Sequence, residues 1–124
     1  MNIKFYVNLE TREMEYEGDD PTTDREAQAI SVAKWTTIRD ALKDHNVLLP
    51  AGSRFTCGFC MLHYENGCRA CPVMKKTGER YCAGSPFQDF DGFTDIASMN
   101  DEDDAKHLVK LAEAEIAFLK SLEV

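Results

Sequence analysis

The chain has 124 residues, the length of one ordinary domain, and we expect a single domain over residues 1–124. Hydrophobic residues make up 44% and charged residues 29%, a globular composition, and no apolar run approaches the roughly 20 residues that cross a bilayer. The formal net charge of -8 repels a nucleic-acid backbone at long range, which disfavours general nucleic-acid binding.

Residues 1–18 carry the alternation of apolar and polar side chains that is typical of a β-hairpin. Phe5 and Val7 alternate with polar neighbours, and Met14 and Tyr16 alternate with glutamates. A hairpin alone is marginal in water, so we expect its apolar face to lie on a helix. The same stretch lacks the basic segment and longer apolar run of a secretory signal, which favours a reducing compartment, the cytoplasm.

Two amphipathic helices are predicted, at about residues 24–45 and about residues 101–123. Thr23 and Glu26 form a capping-box signature at the start of the first helix. Apolar residues recur at spacings of three and four: Val32, Trp35, Ile38, Ala41 and Leu42 on the first helix, and Leu108, Leu111, Ala112, Ile116, Leu119 and Leu122 on the second. We expect the two stripes to pack together, with Trp35 in the core rather than on a ligand.

Residues 54–93 show no sustained period of either kind. A long irregular stretch is uncommon in a compact domain without an internal organiser, and a bound metal would supply one. The predicted fold class is therefore α+β and mainly helical. It combines the amino-terminal β-hairpin, two packed amphipathic helices and an irregular, metal-organised cysteine module.

All five cysteines of the chain lie in this cysteine module. Cys57 and Cys60 form one C-x-x-C pair, Cys68 and Cys71 form a second, and Cys82 follows. Two such pairs supply the four thiolates of a tetrahedral zinc site, with Cys82 as a possible replacement ligand. An iron–sulfur cluster also needs four thiolates, and two disulfides with one free thiol are the remaining alternative.

Other chemistry receives less support from the sequence. His63 is close enough to the cysteines to compete as a zinc ligand, although a structural role is commoner for a lone histidine. The C-x-x-C pairs lack the β-α alternation of thioredoxin-like enzymes, and we find no phosphate loop, Ser-His-Asp order or H-E-x-x-H motif. We therefore expect a protein that is not an enzyme, although a thiol-based enzyme stays open.

A nucleic-acid-binding zinc module is the alternative function. The cysteine segment contains a local group of basic residues within an acidic chain, together with aromatic residues on which bases could stack. The basic residues are Arg69, Lys75, Lys76 and Arg80, and the aromatic ones are Phe59, Tyr64 and Tyr81.

The cysteine segment resembles a motif of small cysteine-cluster proteins of tailed bacteriophages, a group without an established activity. The matching residues are Cys57-Gly58-Phe59-Cys60, Cys68-Arg69-Ala70-Cys71-Pro72-Val73, Thr77-Gly78, Cys82 and Gly84-Ser85-Pro86-Phe87. The resemblance includes Lys34-Trp35 on the preceding helix and the amphipathic helix that follows, about two thirds of the chain. It implies a phage protein made in the cytoplasm of a bacterial host. We expect a small, acidic, metal-stabilised interaction module that binds a host or phage protein.

Overall fold

The computed structural model describes residues 1–51, 54–67, 69–79, 84–96 and 102–124. Within these ranges the protein is mainly helical, with an amino-terminal antiparallel hairpin, as the sequence predicts. The strands are β1 (Phe5–Asn8) and β2 (Glu13–Tyr16), and the helices are α1 (Asp24–His45), α2 (Gly58–His63), α3 (Pro72–Thr77), α4 (Pro86–Ile96) and α5 (Glu102–Lys120). None of the helices in the described part of the chain is long and apolar enough to cross a membrane.

The hairpin has the register that its alternation predicts. Phe5 pairs with Tyr16 and Val7 pairs with Met14, so the four apolar side chains share one face of the sheet. The Phe5 and Tyr16 rings lie 5.2 Å apart, and Met14 is 6% exposed within the main hydrophobic core. The apolar face is therefore covered by the helical part of the protein, as expected for a hairpin that is not stable alone.

Helix α1 begins at the predicted cap, Thr23, and its Glu26 carboxylate also bonds to the residue before the cap. The backbone N–H of Glu26 donates to Thr23 Oγ1 over 3.1 Å, as the box requires. The Glu26 carboxylate, however, accepts from the backbone N–H of Thr22 at 2.9 Å and from its hydroxyl at 2.7 Å. The helix ends at Asn46, whose φ of 53° places it in the left-handed region typical of a helix terminus.

The core forms where α1 and α5 pack side by side, which confirms the predicted pairing of the two apolar stripes. Gln28 Nε2, near the start of α1, donates to the carbonyl oxygens of Leu119 at 2.7 Å and Leu122 at 3.1 Å, near the end of α5. The two helices are therefore antiparallel. Leu108 and Ala112 are almost fully buried on the α5 side of this contact.

Trp35 lies inside this core, as predicted, and is 3% exposed. Its ring makes edge-to-face contacts with two aromatic rings of α4: the centroid of Phe87 lies at 5.9 Å and that of Phe90 at 5.0 Å. Helix α4 therefore forms the third side of the core, against both α1 and α5.

The cysteine module is more regular than its sequence predicts. Helices α2 and α3 and most of α4 lie within residues 54–93, where we expected irregular chain. Two of these helices have only six residues, fewer than two turns, so no apolar period could repeat within them. Gly67, with a φ of 65°, ends the turn after α2 in the left-handed conformation that glycine adopts without steric cost.

Candidate thiol site

Cys57 and Cys60 lie at the start of α2, which holds their side chains close together. Cys57 is the residue before the helix and has an extended backbone, with φ of -104° and ψ of 120°, while Cys60 lies in the first turn. The Cys60 thiol donates a hydrogen bond to the sulfur of Cys57. The first C-x-x-C pair thus directs both sulfurs to one place.

Gly58, between the two cysteines, lets α2 approach α1 closely. A Cβ atom at Gly58 would lie 2.8 Å from Ala27 Cα and closer still to the Ala27 carbonyl oxygen. These are backbone atoms of α1, so they cannot turn aside as a flexible side chain would. The absence of a side chain at Gly58 is what places Cys57 against α1.

Gly58→Ala should therefore destabilise the protein by roughly 1–3 kcal/mol, the range for overpacking a tight contact. Chemical denaturation of the reduced protein measures this loss. Gly78→Ala is the matched control for steric overlap, because nothing lies within 4 Å of a Cβ atom at Gly78. The φ of 78° at Gly78 adds backbone strain of its own. A Gly58→Ala variant as stable as the wild type would show that α2 can move away from α1 at little cost.

Cys57 lies against two polar residues of α1. Ser31 Oγ is 3.7 Å from Cys57 Sγ, and the Lys34 ammonium is close enough to interact with this sulfur electrostatically. Lys34 is only 3% exposed, and its Nζ donates to the carbonyl oxygen of Ala51 over 2.6 Å. The same Nζ lies 5.9 Å from the centroid of the Trp35 ring, a cation–π contact.

These neighbours favour the thiolate form of Cys57. The hydrogen bond from the Cys60 thiol lowers the pKa of Cys57 well below the usual range of a cysteine, and Lys34 and Ser31 act in the same direction. Burial of the sulfur raises the pKa of Cys57, but the lowering effects together are larger. A thiolate is the form of cysteine that binds metals and attacks disulfides.

Glu115 of α5 adds a buried carboxyl group to this site. It is 2% exposed, and its Oε2 accepts a hydrogen bond from the backbone N–H of Phe87 over 2.9 Å, which caps the start of α4. Burial raises the pKa of Glu115 to about 7, and the negative charge on Cys57 adds to the rise. The Phe87 N–H and Lys34 act in the opposite direction.

We call Ser31, Lys34, Cys57, Cys60 and Glu115 the thiol cluster. Its charges balance when Lys34 is protonated, Cys57 is a thiolate and Glu115 holds its proton. Buried charges are tolerated when they are paired, and this arrangement leaves one cation beside one anion. The arrangement therefore favours a thiolate at Cys57, which is half-buried.

The structure places the predicted ligands unequally. Cys57, Cys60 and Cys71 form no disulfide with one another, whereas Cys68 and Cys82 lie outside the described residues. Cys71, 5% exposed, precedes α3 with an extended backbone, much as Cys57 precedes α2. Within the described ranges no three His, Cys, Asp or Glu residues form a group that could hold a metal ion. Cys71 is thus not grouped with Cys57 and Cys60 as a third ligand.

His63, the competing ligand, has another partner. Its Nε2 lies 2.6 Å from Asp24 Oδ1, at the start of α1, and its side chain is 12% exposed. This contact ties the end of α2 to the start of α1. The geometry agrees with the structural role that is commoner for a lone histidine.

The residues of the alternative nucleic-acid surface are only partly described. Arg69, Lys75 and Lys76 are exposed, but Lys76 Nζ donates to Ser121 Oγ over 2.5 Å and lies 5.2 Å from the Phe118 ring centroid, against the end of α5. Arg80 and Tyr81 lie outside the described residues. Of the predicted stacking residues, Tyr64 is 38% exposed, whereas Phe59 is only 1% exposed. The prediction for Phe59 is wrong, because this ring fills the core rather than offering a face to a base.

Sequence reasoning did not select Lys34 or Glu115, although both carry a recognisable signal. Each polar residue falls on the apolar stripe of its helix: Lys34 precedes Trp35 and lies four residues from Ile38, and Glu115 lies three residues after Ala112 and four before Leu119. A charged residue inside an apolar stripe indicates burial with a partner. The partner itself could not be read from the sequence, because it lies on a different helix.

Comparison of the chain with protein-family models, curated proteins and solved structures finds no significant match. The thiol cluster therefore has to be interpreted from its own geometry.

Proposed function

We propose that this protein is a small acidic interaction module whose cysteine segment is stabilised by one zinc ion. Cys57 and Cys60 supply two thiolate ligands, and the other two come from among Cys68, Cys71 and Cys82. Use of Cys71 would require it to move toward the first pair, since the described residues do not group it with them. When bound, zinc would hold together the short helices of this segment and add its binding free energy to folding. An iron–sulfur cluster would use the same thiolates and is the alternative cofactor.

The observation that carries this proposal is the placement of Cys57 and Cys60 beside Lys34. A zinc ion with four thiolates has a net charge of about -2, which a buried ammonium group partly offsets. Ser31 and Lys34 are also groups of the kind that orient metal ligands from outside the coordination shell. The two sulfurs and their surroundings suit half of a thiolate metal site.

A protein is the partner that we propose, for reasons of charge and surface. The net charge of -8 opposes polyanions. Two exposed aromatic residues flank α2: Phe55, 71% exposed, lies just before Cys57, and Tyr64, 38% exposed, directly follows the helix. Aromatic side chains on rigid supports are common anchors of protein interfaces. On the basis of the phage resemblance, the partner that we propose is a host or phage protein of the bacterial cytoplasm.

Zinc content tests the metal part of the proposal. Protein purified under reducing conditions without added metal should contain one zinc per chain, and Cys60→Ser should lose most of it, because one thiolate ligand is removed. Met61→Leu, which changes the neighbouring side chain at similar volume, should keep the zinc. Elemental analysis with a free-thiol count measures both. Zinc-free wild-type protein with five free thiols contradicts the zinc site, and bound iron with sulfide favours the cluster.

The class of partner is tested by comparing two sets of variants. Phe55→Ala with Tyr64→Ala should weaken capture of a purified host protein partner by about tenfold or more, since such anchors dominate binding energy. Replacing Arg69, Lys75, Lys76 and Arg80 together by Ala should leave capture intact. Salt-sensitive RNA or DNA binding that the basic variant abolishes, with no protein captured, would instead favour the nucleic-acid alternative.

Dithiol–disulfide exchange is a second candidate function, and the position of Cys57 at the start of α2 favours it. The Cys57 thiolate would attack a disulfide of a partner protein and release one partner sulfur as a thiolate, which takes the Cys60 proton. Cys60, now a thiolate, would then attack the Cys57 sulfur and release the second partner sulfur as a thiolate, which takes a proton from water. The chain gains a Cys57–Cys60 disulfide and the partner gains two thiols. A zinc-free chain that reduces a disulfide substrate, with activity lost in Cys57→Ser, would support this function.

A further inference from the structure

We propose that a groove between the end of α1 and the first half of α5 binds an acidic, amphipathic helical segment of a partner protein. The groove has a volume of about 580 Å³ and is separate from the thiol cluster. It rests on the proposed function only in assuming that the protein acts by binding another protein. The groove adds a second contact surface to that function and defines the chemistry of the partner segment that would bind there.

The floor of the groove is apolar. Leu42, near the end of α1, faces Ala105 and Val109 of α5. Leu42 and Ala105 are buried beneath the groove and Val109 is half-buried, so the accessible apolar strip of the floor lies mainly along Val109. A strip of this kind accepts the apolar side chains of an amphipathic helix.

The rim of the groove is basic in a strongly acidic protein. Lys43, Lys106 and Lys110 line it and are exposed, against one lining carboxylate, Glu113. Among the residues that the structure describes, no ion pair is found that involves these three lysines. The rim therefore carries a net positive charge, which suits a partner segment rich in carboxylates.

The spacing of two of these lysines creates a local charge repulsion that an acidic partner would relieve. Lys106 and Lys110 are four residues apart on α5, so their like charges lie on the same face and destabilise the helix. Carboxylates of a bound segment between them and Lys43 would turn this repulsion into attraction.

The length of the groove favours a helical segment over a small anion. The lining residues of α5 run from Ala105 to Glu113, which corresponds to about 12 Å along a helix axis. This length matches about two turns of a partner helix. The three ammonium groups lie on two different helices and are not gathered on a single helical turn. A segment with leucines on one face and glutamates beside them fits both the floor and the rim.

Three synthetic peptides of about 14 residues, roughly four helical turns, provide the test. The first places leucines on one face and glutamates beside them, the second replaces each glutamate by glutamine, and the third scrambles the order. Affinity for the full-length protein is measured by fluorescence anisotropy, and the site by amide chemical-shift changes. We expect the first peptide to bind about tenfold or more tightly than either control, with shifts centred on Leu42 and Val109.

Charge-reversed variants locate the interaction. Lys43→Glu, Lys106→Glu and Lys110→Glu together should weaken binding of the first peptide by about tenfold or more. The matched control reverses three exposed lysines elsewhere, Lys4, Lys75 and Lys120, with the same change in net charge, and should cost at most about twofold.

Three outcomes would overturn the proposal. Equal losses in both triple variants would mean non-specific attraction, and equal binding of the scrambled peptide would mean that the apolar floor is not recognised. Saturable binding of dodecanoate in the groove, without peptide binding, would identify a small anionic amphiphile as the occupant. Zinc content, measured on the same samples, should be unchanged by the groove variants. Failure of the groove and failure of the zinc site can therefore be told apart.

Discussion

Trp35→Ala should lower the free energy of unfolding by about 3–5 kcal/mol, the cost of truncating a fully packed aromatic side chain. Trp35 is 3% exposed and contacts Phe87 and Phe90 edge-to-face, so the truncation leaves a cavity where α1 meets α4. It also removes the ring that lies 5.9 Å from the Lys34 ammonium. Urea denaturation of the reduced protein, followed by circular dichroism, measures the change.

Tyr6→Ala is the matched control for Trp35→Ala. It removes an aromatic ring that is 41% exposed on the hairpin, and we expect a loss below about 1 kcal/mol. Two results would contradict the packing of Trp35. One is a loss for Trp35→Ala as small as that for Tyr6→Ala, and the other is strong quenching of native tryptophan fluorescence by acrylamide.

Stability should decrease between about pH 4.3 and pH 7 because of Glu115. Its pKa is about 7 in the folded protein, above the value of about 4.3 for an unfolded chain. The folded state therefore binds the Glu115 proton more tightly than the unfolded state does. The resulting stabilisation of the fold is complete below the unfolded-state pKa. The effect is lost as the pH rises through the folded pKa. The shift corresponds to about 4 kcal/mol between the two limits, of which about 3 kcal/mol falls between pH 4 and pH 8.

Glu115→Gln tests this titration, because glutamine keeps an acceptor for the Phe87 N–H but does not ionise over this range. Unfolding free energies of reduced, chelator-treated protein from pH 4 to 8 should fall by about 3 kcal/mol less in Glu115→Gln than in the wild type. Glu113→Gln, which removes an exposed carboxylate two residues away, should follow the wild-type curve. If the curves of both variants coincide, Glu115 does not titrate in a buried environment.

Local patterns in the sequence determined a large part of the fold. The alternation around Val7 and Met14 specified which hairpin face is buried, because side chains alternate strictly along a strand. The spacing of apolar residues specified two long helices and the faces on which they pack, since helical periodicity is a local property. The first C-x-x-C pair also brought Cys57 and Cys60 together, because both belong to the same helix start.

Only the tertiary structure decided what surrounds those sulfurs. Lys34, Cys57 and Glu115 come from three different helical segments, and their proximity depends on the close approach of α2 to α1 at Gly58 and on the packing of α1 with α5. Polar residues on apolar stripes indicate that a partner exists, but its identity depends on contacts between residues far apart in the chain. The short helices α2 and α3 were missed for a related reason. With six residues each, they lack a repeating apolar pattern. Helix propensity alone does not stabilise such short helices, and packing against the surrounding fold does.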